Sequence, residues 1–94
     1  DADGDWVHIQ PGGTIVSPSP HTAPYAYFEQ WVRDNWLFEY QLKAGDIVVD
    51  IGTGIGEEAL VFSKLIGPTG FMLAVEAHPI VYRALAKTVG PLAN

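Results

Sequence analysis

An apolar run, one carboxylate and three alternate glycines constrain this chain more than any other feature: Ile47-Val48-Val49-Asp50-Ile51-Gly52-Thr53-Gly54-Ile55-Gly56. Val and Ile suit a pleated strand with two covered faces, which favours a parallel strand over a half-wet one. The glycines permit close backbone approach and unusual φ, as a tight turn beneath a ligand requires. A strand that turns this way into a helix aims free backbone N–H groups and the positive end of a helix dipole at a polar or anionic group. The stretch therefore reads as a ligand-cradling turn.

Spacing narrows the ligand. A dinucleotide fingerprint, G-x-G-x-x-G, would put its third glycine at Glu57. A carboxylate there would meet a pyrophosphate charge against charge, whereas a cationic or neutral centre fits. The pattern resembles the first motif of class I S-adenosylmethionine-dependent methyltransferases, in which a D/E-x-G-x-G-x-G turn holds the methionine part of the cofactor. A βα turn with no ligand is the plain alternative.

Length and charge set the bounds. Ninety-four residues make at most one small domain. A net charge of −6 with five scattered basic residues argues against a nucleic-acid backbone as partner. The lack of Cys removes disulfides, thiolate metal sites and a Cys nucleophile, and suits a reducing, cytoplasmic setting. No apolar run approaches the ~20 residues that span a bilayer, and no signal peptide opens the chain. A start at Asp1 without Met reads as an excised or processed piece.

Asp1, Asp3 and Asp5 alternate as in the first half of a calcium loop, but Trp6 stands where glycine is needed and Gly12 where a bidentate Glu belongs. A solvated, frayed terminus is expected. Trp6 to Ile9 and Thr14 to Val16 read as strands around the Pro11-Gly12-Gly13 turn, and Ser17-Pro18-Ser19-Pro20 as an extended connector. Thr22 suits an N-cap, with Ala23 and Pro24 in the first turn of a helix reaching roughly Tyr40. Tyr25, Phe28, Val32 and Trp36 share one face of it. Most of the chain's aromatics crowd into this segment. They read first as packing residues, and Tyr27 and Phe28 are the candidates to stack over the glycine turn on an adenine or a sulfonium.

Glu57 and Glu58 complement the start of the helix after the turn. Gly67 and Pro68 end that helix, Phe71 to Val75 form a second strand, and Pro79 opens a last helix stopped at Gly90-Pro91. Strand, helix and strand make a βαβ unit with parallel strands. Glu76, at the carboxyl end of the second strand, is placed to accept two hydrogen bonds from a ribose diol. The turn and this acid together point to a nucleoside ligand.

The run Gly45 to Glu57, then Ile66-Gly67-Pro68-Thr69-Gly70, then Val75-Glu76-Ala77-His78-Pro79, resembles the FkbM-type methyltransferases. Thr53-Gly54 replaces the Ala-Asn more frequent in that family, and Ala77 replaces a Pro. Isoaspartyl and tRNA-adenine methyltransferases share the G-P-x-G turn and compete. The resemblance implies S-adenosyl-L-methionine as cofactor and O-methyl transfer to a small-molecule acceptor. It implies that Gly52, Thr53, Gly54 and Gly56 cradle the methionine part, that Asp50 orients the loop, that Glu57 lies near the amino-acid end, and that Glu76 holds the ribose with Ala77 beside the adenine. No catalytic base is indicated, since His8, His21 and His78 are dispersed, and no metal is expected.

The expected fold is α/β: a Rossmann-like parallel sheet of a class I methyltransferase, truncated after the first βαβα unit, with an N-terminal aromatic-rich helix. Residues 1–44 read as an N-terminal extension and 45–94 as a partial S-adenosylmethionine-binding domain. An open sheet edge predicts self-association or the remainder of a longer chain as partner, and little activity in isolation. Two alternatives remain: a non-catalytic nucleoside-binding or assembly module, and an NAD-dependent oxidoreductase fragment, which Glu57 disfavours.

Overall fold

A computed structural model describes residues 1–92. Strands β1 (Trp6–Gln10) and β2 (Gly13–Ser17) form an antiparallel hairpin in which Trp6 faces Ser17 and Gln10 faces Gly13. Helix α1 (Tyr25–Asn35) follows, then β3 (Ile47–Ile51), α2 (Glu57–Ile66), β4 (Phe71–Val75) and α3 (Pro79–Val89). β3 and β4 pair in parallel, Ile47 against Phe71 and Ile51 against Val75, as a βαβ crossover requires. Among the described residues the result is a small α/β arrangement of two separate two-stranded sheets and three helices. Among the described residues no helix is long and apolar enough to cross a membrane.

α2 is the centre of the molecule. Its Ala59, Leu60, Val61, Phe62 and Ile66 are all buried, so it is apolar around much of its circumference, as an enclosed helix must be. Leu60, Val61 and Phe62 meet Phe28 and Val32 of α1 and Ile15 of β2 in one core, which draws on both sides of residue 44. α3 packs on the hairpin, where the Thr88 hydroxyl accepts from Val16 N–H at 2.9 Å.

Three local expectations are corrected. α1 ends at Asn35 rather than near Tyr40, because the Val32 carbonyl accepts from both Trp36 N–H (2.8 Å) and Leu37 N–H (3.0 Å) and closes the helix. Trp36 thus leaves the packed face and is 57% exposed. Thr22 does not cap α1: Pro24 holds that position, and Tyr25 N–H is met by Gln10 Oε1 of β1 at 3.0 Å. A helix end satisfied by a distant strand carries no local signature.

Nor does the N-terminus fray. Asp5 is 3% exposed and takes both Arg83 Nη2 (2.6 Å) and Arg83 Nε (3.1 Å) from α3. Lys87 Nζ sits among Asp1, Asp3 and Asp5 at 2.7–2.9 Å, so an ammonium holds the position that a cation would seek in this acidic group. The Arg83 and then the Lys87 hydrogen bonds hold the Asp5 carboxyl at a pKa of about 2 against an ordinary 3.8. A depressed carboxylate pKa means that the unfolded chain takes up the proton first. The stabilisation is full above pH ~3.8 and is lost as pH falls toward about 2. Thermal melts from pH 5 to pH 2 should show this decline, and an Arg83→Met variant should show a flatter one.

The sheet face of β3 and β4 that looks away from α2 is bare. Ile47, Val49, Ile51, Phe71, Leu73 and Val75 are 41–80% exposed, while Val48 and Met72 on the other face pack against the core. The two covered faces expected of β3 are one, among the described residues.

Candidate functional site

The turn after β3 is bolted to the end of β4. Gly52 N–H and Thr53 N–H both donate to the Val75 carbonyl, at 2.8 and 3.1 Å. Gly54 N–H donates to Glu76 Oε1 at 3.0 Å, and His78 N–H to Glu76 Oε2 at 3.0 Å. These backbone donors pull the Glu76 carboxyl below its usual pKa, the His78 one first. The amides of residues 52–54, expected to face a ligand, are instead used to fix the turn. The Ala77 N–H draws the carboxyl down as well, so three backbone donors face its two oxygens.

Gly52 and Gly54 have φ of +77° and +67°, and a Cβ on either would meet nothing within 4 Å. Their side is open, as a cradle's must be. Gly56 differs: at φ +99° its added Cβ would lie 2.9 Å from Thr88 Cγ2 and 3.1 Å from Leu85 Cδ1 of α3. Its position is set by helix packing. Gly56→Ala should therefore cost about 1–3 kcal/mol of stability through strain, read as a lowered Tm.

Beside the turn lies a cavity of about 220 Å³. α1 supplies Tyr27, Phe28 and Trp31, the turn supplies Gly52 and Thr53, and the start of α2 supplies Glu57 and Glu58. Tyr27 is 57% exposed and Phe28 only 7%, so Phe28 serves the core as well as the cavity wall. The two rings meet edge to face at 5.6 Å. Burial, and then Glu58, pushes the Glu57 carboxyl up. Glu58 Oε1 accepts from Trp36 Nε1 at 3.2 Å.

Asp50 lies under the turn. Its carbonyl accepts from Thr53 Oγ1 at 2.8 Å, and its buried Oδ2 lacks a partner among the described residues. Burial and then Glu58 raise its carboxyl pKa. Asp50 opens onto a neighbouring cavity walled by Trp36, Leu37, Leu42 and Phe62.

Of the residues named from sequence, Tyr27, Phe28, Gly52, Thr53 and Glu57 converge on the first cavity. Glu76 and Gly54 are joined to each other just beyond it, and neither Glu76 nor Ala77 lines it. Trp31 and Glu58 were missed. Trp31 is four residues past Tyr27, one helical turn, and Glu58 directly follows Glu57; those spacings were the available signals.

The family described as protein-L-isoaspartate(D-aspartate) O-methyltransferase matches residues 6–93. The chain belongs to that family. Among its relatives are the protein-L-isoaspartate O-methyltransferases of Fervidobacterium nodosum, 39% identical over 57 residues, and of Ignicoccus hospitalis, 41% identical over 39. The first alignment covers 60% of this chain and 29% of the relative, the second 42% and 18%. The chain thus spans less than a third of either relative's length. No solved structure matches the chain. The relatives are methyltransferases, and the family uses S-adenosylmethionine as methyl donor.

The FkbM-type subfamily expected from sequence is not supported; a competitor that shares the Gly67-Pro68-Thr69-Gly70 turn takes its place. The small-molecule acceptor loses its support with it. The two families share the methyl donor that the glycine turn and strand-end acid were read for, so that reading could not separate them. The match also begins at Trp6, taking in the hairpin and α1, which carried little of the resemblance.

Proposed function

We propose that this chain is the donor-binding part of an S-adenosylmethionine-dependent methyltransferase whose acceptor is the free carboxylate of isoaspartyl residues in proteins. The observation that carries the reading is the cavity beside the glycine turn, walled by aromatic rings and two carboxylates and without a Lys, Arg or His in its lining. Such a lining repels a pyrophosphate and suits a cationic nucleoside. That the two relatives are protein-L-isoaspartate O-methyltransferases supports the protein acceptor.

In this reading Tyr27 and Phe28 lie against the donor, Gly52, Thr53, Gly54 and Gly56 shape the bend beneath it, and Asp50 holds that bend through Thr53. Glu57 lies at the donor's amino-acid end. Glu76 holds the ribose, with Ala77 beside the adenine. When bound, the donor supplies an electrophilic methyl group on a sulfonium. An isoaspartyl carboxylate is already ionised at neutral pH, so the acceptor requires no base. That agrees with a cavity lining free of histidine.

The same reading takes β3 and β4 as the first strands of a larger Rossmann-like parallel sheet. Residues 1–44 are then an extension over a partial binding domain in 45–94, in a cytoplasmic enzyme. The bare apolar face of β3 and β4 supports it, since parallel strands are ordinarily covered on both sides. That face serves further elements of a longer chain or a second copy.

Titration of ¹⁵N-labelled chain with S-adenosylhomocysteine and with NAD tests the proposal. Shifts concentrated at residues 27–31, 52–58 and 76–77 with the first ligand and not the second are expected. Saturable binding of NAD alone would sink it.

A further inference from the structure

We propose that His78 is a positioning residue for Glu76, and that a second proton on its ring loosens the hold of the site on the nucleoside. The inference rests on the reading of Glu76 as the ribose acid and adds a pH dependence to it.

His78 stands between the strand-end acid and α3, one residue before Pro79 opens that helix. It has two tasks in the folded chain. Its backbone N–H donates to Glu76 Oε2 at 3.0 Å. Its ring Nδ1 accepts from Val81 N–H at 3.5 Å and so caps α3. A ring that accepts at Nδ1 is neutral and carries its proton on Nε2. Glu76 Oε1 continues the connection by accepting from Gly54 N–H at 3.0 Å. Helix cap, acid and glycine bend are thereby joined from Val81 to Gly54. Asn, Asp, Ser or Thr are the common residues at such a cap, and a histidine there makes the cap sensitive to acid.

A second proton acts on both sides of His78. Nδ1–H no longer accepts from Val81 N–H, so the cap is lost. The ring also becomes a cation at the positive end of the α3 dipole, which repels it. Glu76 is the opposite charge within its reach, and the two already lie close enough for His78 to draw the Glu76 carboxyl down. An imidazolium paired with Glu76 occupies an oxygen that the ribose hydroxyls require. Both effects weaken binding as the pH falls.

The other charged groups around this junction have separate partners or positions. Arg83 and Lys87 of α3 are held by Asp1, Asp3 and Asp5. Asp50 lies under the bend, and Glu57 and Glu58 begin α2. His8 meets the Ser19 carbonyl at 3.2 Å in the hairpin and its connector, which also carries His21.

The test is calorimetric titration with S-adenosylhomocysteine from about pH 8 to about pH 5.5, the range in which imidazoles change charge. The ligand's own carboxylate, amine and adenine keep their charge over most of that range. Affinity for the unmodified chain should fall roughly threefold or more toward the acid end. His78→Asn keeps an acceptor for Val81 N–H and takes up no proton, so most of that fall should disappear. In the unliganded ¹⁵N-labelled chain the amides of Gly54, His78 and Val81 should shift with one common midpoint. Flat affinity in the unmodified chain, or a fall that survives His78→Asn, overturns the inference and leaves the donor-binding reading standing. A Gly54 amide that ignores the titration while that of His78 moves overturns it as well, because the two are then not joined through Glu76. Absence of binding at every pH overturns the underlying reading, and the inference with it.

Discussion

Gly54→Val is expected to lower the affinity for S-adenosylhomocysteine by at least tenfold while the chain remains folded. Gly54 sits at φ +67°, a conformation a β-branched residue adopts only under strain of about 1–3 kcal/mol. An added Cβ meets nothing within 4 Å, so the site has room for the start of a side chain. The turn relieves the strain by rotating its peptide, and the Gly54 N–H bond to Glu76 (3.0 Å) goes with it. That bond is the strut between the glycine bend and the strand-end acid, so both halves of the proposed nucleoside site shift at once. Each 1.4 kcal/mol of strain not relieved on binding is a factor of ten in affinity. Calorimetry with S-adenosylhomocysteine gives the affinity, and far-UV circular dichroism shows whether α2 and α3 persist. Undiminished binding by a folded Gly54→Val chain would remove the bend from the site.

The largest effect on stability should follow Ile15→Ala. Ile15 is fully buried on β2 and is the residue through which the hairpin enters the core shared by Phe28, Val32 and Leu60. Truncating a buried Ile to Ala costs about 2–5 kcal/mol from lost transfer energy and the cavity left behind. Against a total of about 5–15 kcal/mol for a domain, this is a large share. It is larger still for a chain whose β3 and β4 leave one apolar face bare. Tm should fall by roughly 10 °C or more, given ~4–8 °C per kcal/mol in chains of this size. The loss should spread to α1, because hairpin movement displaces Gln10 from the Tyr25 amide. A melt shifted by only a degree or two would mean that the hairpin is not part of the cooperative unit.

Acid sensitivity from Asp5 and strain at Gly56 act through α3, remote from the cavity in sequence yet coupled to the turn through Gly56 and Thr88. Stability and binding effects are thus separable by position within the same three glycines. Gly56→Ala reports on packing and Gly54→Val on the site.

Short-range chemistry is what the sequence carried unaided. The strand Ile47–Ile51, the glycine turn, the helix ended at Gly67-Pro68, the strand Phe71–Val75 and the helix opened by Pro79 each follow from residues within a few positions of one another. Parallel pairing followed too, since a crossover helix leaves two strands little other choice. The methyl-donor class was legible in the sequence through the resemblance that the glycine bend and the strand-end acid carried. The subfamily was not, because its close relatives need the same bend.

Tertiary structure alone decided the rest. α1 stops at Asn35 once the Val32 carbonyl is closed by Trp36 and Leu37, and its first amide is satisfied by Gln10 from another element. Asp5 finds Arg83 across 78 positions of chain, and Trp36 finds Glu58 across 22. Trp31 joins the cavity by lying one helical turn beyond Tyr27 on a helix aimed at the glycine bend. Such contacts have no period and no punctuation, because partners this far apart meet only when the core between them has formed.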